Sequence, residues 1–145
     1  MDVLPHHYSV TVDANPENNL RVSAAHLSAL EVAAPKQFDG PGDKWSPEEL
    51  LLAAAANCFV LSFRTVASIA KLEWQAIQCT TEGVLDKVER AMQFTELVTK
   101  VALTIDSEAS RQKAETLLAK AEKICIVSNS LTAQKRLEIE IVTKS

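Results

Sequence analysis

The sequence has few glycines, prolines and cysteines, and it has no block of like charge. Only 3 glycines and 5 prolines occur in 145 residues, which excludes collagen-like and glycine-rich linker chains. Three cysteines are too few for a disulfide scaffold, and their odd number favours a reducing compartment, so we expect a cytoplasmic protein. Because 15 Lys+Arg stand against 19 Asp+Glu, for a net charge of -4, neither nucleic acid nor an anionic membrane is indicated as a partner.

The longest apolar stretch is too short to indicate a membrane span. It runs over the 14 residues 50–63, and Asn57 and Ser62 interrupt it, whereas a transmembrane helix needs roughly 18 apolar residues. The first residues show neither a basic nor a long apolar segment, so we expect no secretory signal peptide. Hydrophobic residues make up 47% of the chain. This composition and the length predict one globular domain over 1–145.

The first half of the chain predicts a small antiparallel sheet followed by a long helix. Strands are expected over 7–12, 20–23 and 27–33, with a turn at 15–19 and a loop at 35–45. Ser46, Pro47 and Glu49 then supply an N-cap, a first-turn proline and a capping-box acid, so the helix begins there and runs to about Leu72. Because it is apolar around most of its circumference, we expect it to be enclosed on nearly all sides, by sheet and, as one alternative, by a second subunit as well.

The second half repeats the order of strands followed by a helix. Strands are expected over 73–88, 94–105 and 137–141, and a helix over 107–123. Strands grouped in blocks around two helices indicate an α+β protein rather than a doubly wound α/β sheet.

The three cysteines are the candidate chemical groups, although a free cysteine at any one position is more often inert packing. Cys79 keeps that interpretation because it lies on the Ile77 side of its strand. Cys58 and Cys125 differ from it because polar residues adjoin both. For Cys125 the adjoining polar segment is also compatible with a simple turn.

Two segments that contain these cysteines are SPEELLLAAAANCF at 46–59 and CIVSNSL at 125–131. Both resemble motifs of the OsmC/Ohr family of proteins that reduce organic hydroperoxides. The first is similar to the family's helix motif, in which Pro-Glu-Glu/Gln-Leu precedes small residues and Ala-Cys-Phe. The segment 125–131, CIVSNSL, is similar to its second motif, Cys-Pro-x-Ser-Asn. The order and separation of the two segments also agree with the family.

The resemblance implies a thiol-dependent peroxidase of the oxidative stress defence, with an OsmC-like fold. It makes Cys58 the attacking thiol and Cys125 the resolving thiol, joined by a disulfide after reaction. Glu48 matches the glutamate that positions a catalytic arginine, and Arg21 is the nearest arginine to serve as that residue. An external dithiol, such as a lipoylated protein, would reopen the disulfide. No metal or organic cofactor is required.

Helix geometry adds an expectation about assembly. Glu48 and Cys58 are ten residues apart in one helix, which separates them by about 15 Å along its axis. They cannot touch within one straight helix, so a shared site would take the glutamate from a partner chain. This predicts an intertwined homodimer, in agreement with the family.

The helix positions also suggest which cysteine attacks. A buried Cys58, more than three turns into its helix, would need a neighbouring cation to ionise, because desolvation raises a thiol's pKa. Cys125 follows a helix C-terminus, which disfavours its thiolate. That second argument weakens if a new helix begins within 126–132.

Two departures from the family motifs keep other hypotheses open. The family's arginine lies beside a Gly-Gly pair that this sequence lacks, and Arg21 is also a candidate for an ordinary solvated strand charge. Ile126 stands where the family has proline. The alternatives are a non-catalytic protein of the same fold that binds a small apolar ligand at the dimer interface, and a dimeric structural module with unreactive thiols.

Overall fold

The computed structural model describes residues 1–144, and its internal contacts divide the chain into two compact units. One comprises residues 1–50 and the other begins at residue 51. The single domain expected from the chain length stays a prediction, and its last residue, Ser145, lies outside the described residues.

The N-terminal unit contains a three-stranded antiparallel sheet. Its strands, in the order β1-β2-β3, are β1 (Thr11–Asp13), β2 (Leu20–Ser23) and β3 (Leu30–Val32). The predicted turn is present, and the Asn15 side chain accepts backbone hydrogen bonds from Glu17 and Asn18.

The prediction for β2 is confirmed, whereas those for β1 and β3 are too long. Thr11 pairs with Ser23, the last residue of β2, so residues 7–10 have no β2 residue to pair with. Similarly, Leu30 pairs with Val22 and the strand begins there rather than at residue 27.

Helix α1 (Pro47–Ile69) begins where the sequence predicts. The buried Ser46 hydroxyl accepts from the Glu49 N–H at 3.1 Å and donates to the Glu49 carboxylate at 2.9 Å. At the other end Lys71 takes a left-handed conformation with φ 58°, and the Leu72 N–H returns to the Ala67 carbonyl at 2.9 Å. This Schellman-type termination ends the helix three residues before the predicted end.

The second unit is built on a three-stranded sheet in the order β4-β5-β6. Its elements are β4 (Trp74–Val88), β5 (Ala91–Ile105), α2 (Arg111–Ile124), the one-turn helix α3 (Ile126–Asn129) and β6 (Gln134–Thr143). Strands β4 and β5 form an antiparallel hairpin, and β6 returns through the helices to lie parallel to β5. The predicted α+β class is confirmed.

The core of this unit lies between α1, α2 and the sheet. Phe63, Leu103 and Leu118, from α1, β5 and α2, are fully buried in one cluster. By length and composition α1 could cross a membrane, but its buried phenylalanines make it the core helix of this cluster.

Helix α1 is less enclosed than its sequence predicts. Leu61 and Ile69 are 58% and 77% exposed, and they line an open groove of about 680 Å³ with Trp74. Residues 1–144 of a single chain therefore leave part of the helix uncovered, and its enclosure by sheet and a second subunit stays a prediction.

Candidate active site

The structure brings Cys58 and Cys125 together in the second unit. Cys58 is half-buried on α1, and Cys125 is fully buried at the junction of α2 and α3. The two thiols lie near enough for each to shift the pKa of the other, and Cys58 packs against the buried cluster that contains Cys125. Cys125 Sγ also lies 3.9 Å from the carbonyl oxygen of Ala55, one turn before Cys58 on α1.

The Cys125 thiol has one proton and two acceptors within reach. With both cysteines neutral, it can donate to the Ala55 carbonyl. Once Cys58 ionises, the same proton can turn to its sulfur, because a charged acceptor forms the stronger hydrogen bond. The Cys125 thiol can therefore stabilise the Cys58 thiolate by donating its proton in a hydrogen bond.

Hydrogen bonds lower the pKa of Cys58 in spite of its partial burial. Burial by itself raises the pKa of this thiol. Four donors outweigh burial and bring the pKa below that of an ordinary thiol: the Val127 N–H, the Cys125 thiol, the Ile126 N–H and the Ser62 hydroxyl. The sulfur is thus both partly accessible and stabilised as a thiolate.

The pKa of Cys125 is shifted the opposite way. Burial is the main cause that raises it, and hydrogen bonds from the hydroxyl and N–H of Ser128 oppose the rise. The hydrogen bond to Cys58 and the negative charge of that sulfur raise the pKa of Cys125 further. Cys125 is therefore the protonated member of the pair when Cys58 is ionised.

Helix α3 realises the alternative that the sequence left open. It begins directly after Cys125, and hydrogen bonding by the N–H groups of its first two residues lowers the pKa of Cys58. The donors that lower the pKa of Cys58 are all neutral, and the neighbouring cation expected from the sequence stays a prediction. The assignment of Cys58 as the more acidic thiol does not depend on that cation.

Glu48 and Arg21 lie in the other unit. Glu48 is in the first turn of α1, and its Oε1 atom is buried without a hydrogen-bond partner among residues 1–144. Arg21 is exposed on β2, opposite Asp13 of β1 and Glu31 of β3. Acidic residues on both neighbouring strands are typical of an ordinary surface arginine. The catalytic roles of Glu48 and Arg21 stay predictions.

The polar donors around Cys58 are what sequence reasoning missed. Ser62 is one helical turn after Cys58, and this i,i+4 spacing is a signal that could have identified it. The N–H groups of Ile126 and Val127 carry no side-chain signal. Asn57, which the motif places beside Cys58, instead donates to the Ala53 carbonyl of its own helix at 2.8 Å.

Comparisons with known proteins agree on one family. The family model described as "OsmC-like protein" matches residues 40–140. An uncharacterised Bacillus subtilis protein, YmaD, is 27% identical over 116 residues, which are 78% of this chain and 77% of that protein.

Solved structures with the same fold include proteins of two descriptions. An OsmC-like protein of unknown function from Vibrio cholerae superposes with a TM-score of 0.86 at 18% identity, over 93% of this chain and 99% of that one. An organic hydroperoxide resistance protein OsmC from Legionella pneumophila superposes with a TM-score of 0.74 at 25% identity, over 95% and 99%.

Proposed function

The chain belongs to the OsmC-like protein family, and on this premise we propose that it is a thiol-dependent peroxidase that reduces organic hydroperoxides to alcohols. The observation that carries the proposal is the packing of Cys58 against the buried cluster that contains Cys125, with the pKa of Cys58 lowered and that of Cys125 raised. The similarity to the Legionella protein named for organic hydroperoxide resistance supports the same substrate class.

In the first step Cys58 acts as the nucleophile. Its thiolate attacks the distal oxygen of ROOH, the O–O bond breaks, and RO⁻ leaves and takes a proton to become the alcohol. Cys58 becomes a sulfenic acid, so the hydroperoxide is reduced and the sulfur is oxidised by two electrons. A lowered pKa serves this step because the thiolate, and not the thiol, attacks.

In the second step Cys125 resolves the sulfenic acid. Its sulfur attacks Cys58 Sγ, a disulfide forms, and the sulfenic hydroxyl leaves as water with the Cys125 proton. An external dithiol, such as a lipoylated protein, then reopens the disulfide by exchange and is itself oxidised. The burial of Cys125 supports this division of roles, because a buried, protonated thiol is a poor first nucleophile.

Glu48 and Arg21 enter the proposal through the family motif. The Glu48 Oε1 atom is buried without a hydrogen-bond donor among residues 1–144. Because such an oxygen is costly, its burial supports a cationic partner from a second copy of the chain or from a rearranged side chain. We assign Glu48 to hold a guanidinium, with Arg21 as the candidate.

Arg21→Ala should then slow hydroperoxide reduction at least tenfold. Arg90→Ala, at the β4–β5 hairpin tip, should not slow it. Equal rates for both variants would remove Arg21 from the site.

The proposal also includes a cytoplasmic homodimer. The exposed apolar side chains of α1 support a second copy as their cover. Thiol chemistry that depends on an external dithiol fits a reducing compartment, and a role in oxidative stress defence follows from the substrate class.

Stopped-flow consumption of cumene hydroperoxide tests the peroxidase proposal. The wild-type protein should consume peroxide continuously with a dithiol present, and Cys58→Ser should not exceed the background reaction. Cys125→Ser should consume about one equivalent and stop as the sulfenic acid. Equal rates for the wild type and Cys58→Ser would reject the proposal and leave the non-catalytic, ligand-binding protein as the alternative.

A further inference from the structure

The open face of α1 forms a continuous stripe of exposed side chains that passes beside Cys58. This exposed stripe runs from Ala54 to Ile69 at the three- and four-residue spacings of one helix face, and it includes Asn57, Leu61, Arg64, Thr65 and Ser68. Cys58 lies at its edge, directly after Asn57, and is half-buried. A molecule that packs on the exposed stripe therefore comes close to the attacking thiol.

Arg64 is the charged residue of the exposed stripe. It lines the open groove beside Trp74 and forms no salt bridge among residues 1–144. The donors that lower the pKa of Cys58 are all neutral. The same helix face thus carries a guanidinium without a carboxylate and a thiolate without a cation. Leu61 lies midway between them, three residues after Cys58 and three before Arg64.

A twofold contact between two copies of α1 makes these positions complementary. In a twofold dimer the same surface of each copy faces the other. An antiparallel contact centred on Leu61, near the middle of the exposed stripe, sets Cys58 of one copy at the same level along the helix as Arg64 of the other. The same register also sets small side chains opposite small ones and polar side chains opposite polar ones: Ala54 opposite Ser68, and Asn57 opposite Thr65.

Charge and distance favour this antiparallel contact over a parallel one. Two parallel copies of α1 would bring their Arg64 side chains to the same level, where like charges repel. In the antiparallel contact each guanidinium meets a thiolate instead. Packed helices lie about 8–10 Å apart, a gap that a long arginine side chain can cross. Cys58 and Arg64 are each rotated about 60° from Leu61 around the helix axis, so both border the contact.

We propose that a second copy of the chain covers the exposed stripe through an antiparallel α1–α1 contact, and that the partner's Arg64 supplies a cation to the Cys58 thiolate. Each dimer then holds two identical sites, each with Cys58 from one copy and Arg64 from the other. The inference rests on the proposed peroxidase function for its catalytic consequence, whereas the contact itself does not depend on that function.

The partner's guanidinium acts on the first step of the reaction. A positive charge beside the sulfur favours the thiolate over the thiol, and it adds to the effect of the neutral donors. It also opposes the negative charge that develops on the leaving oxygen when the O–O bond breaks.

Arg64→Ala tests whether this charge contributes. The variant should reduce cumene hydroperoxide about tenfold more slowly, and the iodoacetamide labelling profile of Cys58 should shift to higher pH, because the thiolate loses a cation. Arg64→Lys keeps the charge and should retain most of the rate. Arg90→Ala removes an exposed arginine at the β4–β5 hairpin tip and should match the wild type. Unchanged rate and labelling in Arg64→Ala overturn the inference and leave the peroxidase proposal standing.

A mixed dimer of two defective chains tests whether the arginine acts across the interface. Cys58→Ser and Arg64→Ala, with different affinity tags, are co-expressed, and the mixed dimer is purified through both tags. It holds one site with both residues and one with neither, so it should reach about half of the wild-type rate. If Arg64 acts within its own chain, the mixed dimer has no complete site. A rate no higher than half that of the Arg64→Ala homodimer then overturns the inference.

Two further measurements separate this inference from the proposed function. Wild-type chains with different tags should co-purify, and their failure to do so overturns the inference whatever the protein does with hydroperoxides. If the wild type does not consume cumene hydroperoxide, the peroxidase proposal fails, and labelling of the mixed dimer still decides where Arg64 acts. Its Cys58 should label with the wild-type pH profile, and the profile of the Arg64→Ala homodimer would overturn the inference.

Discussion

The two thiols of the candidate pair differ in their hydrogen-bond donors, their burial and the charge of their partner. Cys58 receives hydrogen bonds from two backbone N–H groups and from Ser62, and these outweigh its desolvation. Cys125 is buried more completely, and the charge of its partner adds to the effect of burial. A difference in reactivity between two cysteines thus arises from the direction of a few N–H and O–H bonds.

The Ser62 hydroxyl is the donor that can be removed with the least disturbance. Ser62→Ala should raise the pKa of Cys58 and slow its alkylation at pH 7 about fivefold, since a hydrogen bond contributes ~1 kcal/mol. Because thiolate is present only above the pKa, the variant's rate profile should shift to higher pH. Iodoacetamide labelling of peptide 45–64 as a function of pH measures this shift.

Ser68→Ala is the matched control, because Ser68 is an exposed residue of the same helix. Its labelling profile should superimpose on that of the wild type. If Ser62→Ala also superimposes, the hydroxyl does not stabilise the thiolate.

At the residue scale, the sequence motifs identify the two cysteines but not the donors that shift their pKa values. Cys58 and Cys125 could be selected from their segments, and the structure brings them together. Their donors could not be selected in the same way, because Ile126 and Val127 act through the backbone, which every residue shares. The direction of an N–H group depends on where a helix begins.

At the scale of elements, the one-turn helix α3 supplies two of the four hydrogen-bond donors that lower the pKa of Cys58. Its first residue, Ile126, stands where the family motif has proline, and a proline would fit the first position of a helix. Proline has no N–H, however, so it would remove one donor from the Cys58 sulfur. The substitution seen in this chain therefore adds a hydrogen bond that the family motif cannot make.

Ile126→Pro should raise the pKa of Cys58 without dissolving α3. Cys125 already has the extended conformation that a following proline requires, with φ -65° and ψ 108°. The alkylation profile of Cys58 should shift to higher pH, while far-ultraviolet circular dichroism stays unchanged. Ile126→Ala keeps the N–H and should label as the wild type does; a shift in both variants would assign the effect to the lost side chain.

The N-cap of α1 is a second element whose role can be tested. Ser46→Ala removes a donor and an acceptor in a fully buried position, so it should lower the free energy of unfolding by about 1–2 kcal/mol. Urea denaturation measures the change. Ser28→Ala, in an exposed loop, should leave the midpoint unchanged, and an equal stability of both variants would contradict the cap's contribution.

Element boundaries were predictable where the sequence carries a specific signal. The start of α1 was predictable because Ser46 and Pro47 suit their positions and no others. Its end was not, because a lysine rather than a glycine takes the left-handed position at residue 71. The length of β1 was not predictable either, because it depends on how far the partner strand β2 extends.

At the scale of the whole molecule, helix α1 exposes large apolar side chains that residues 1–144 of one chain do not cover. Leu61 and Ile69 would each cost free energy in water, at roughly 25 cal/mol per Å² of apolar surface. The sequence predicts enclosure of this helix but cannot show whether the cover comes from the same chain. The structure of one chain leaves the groove beside Trp74 open, which favours a second copy as its occupant.

Replacing one of these side chains by a charge should therefore dissociate the proposed dimer. Leu61→Asp would place a carboxylate in an apolar interface, and burial of an unpaired charge costs several kcal/mol, enough to raise the dissociation constant at least a hundredfold. Analytical ultracentrifugation over a range of concentrations measures that constant. Leu61→Met keeps the side chain apolar and should remain dimeric. If the wild type sediments as a monomer, or if Leu61→Asp dimerises as tightly as Leu61→Met, this face of α1 is not the interface.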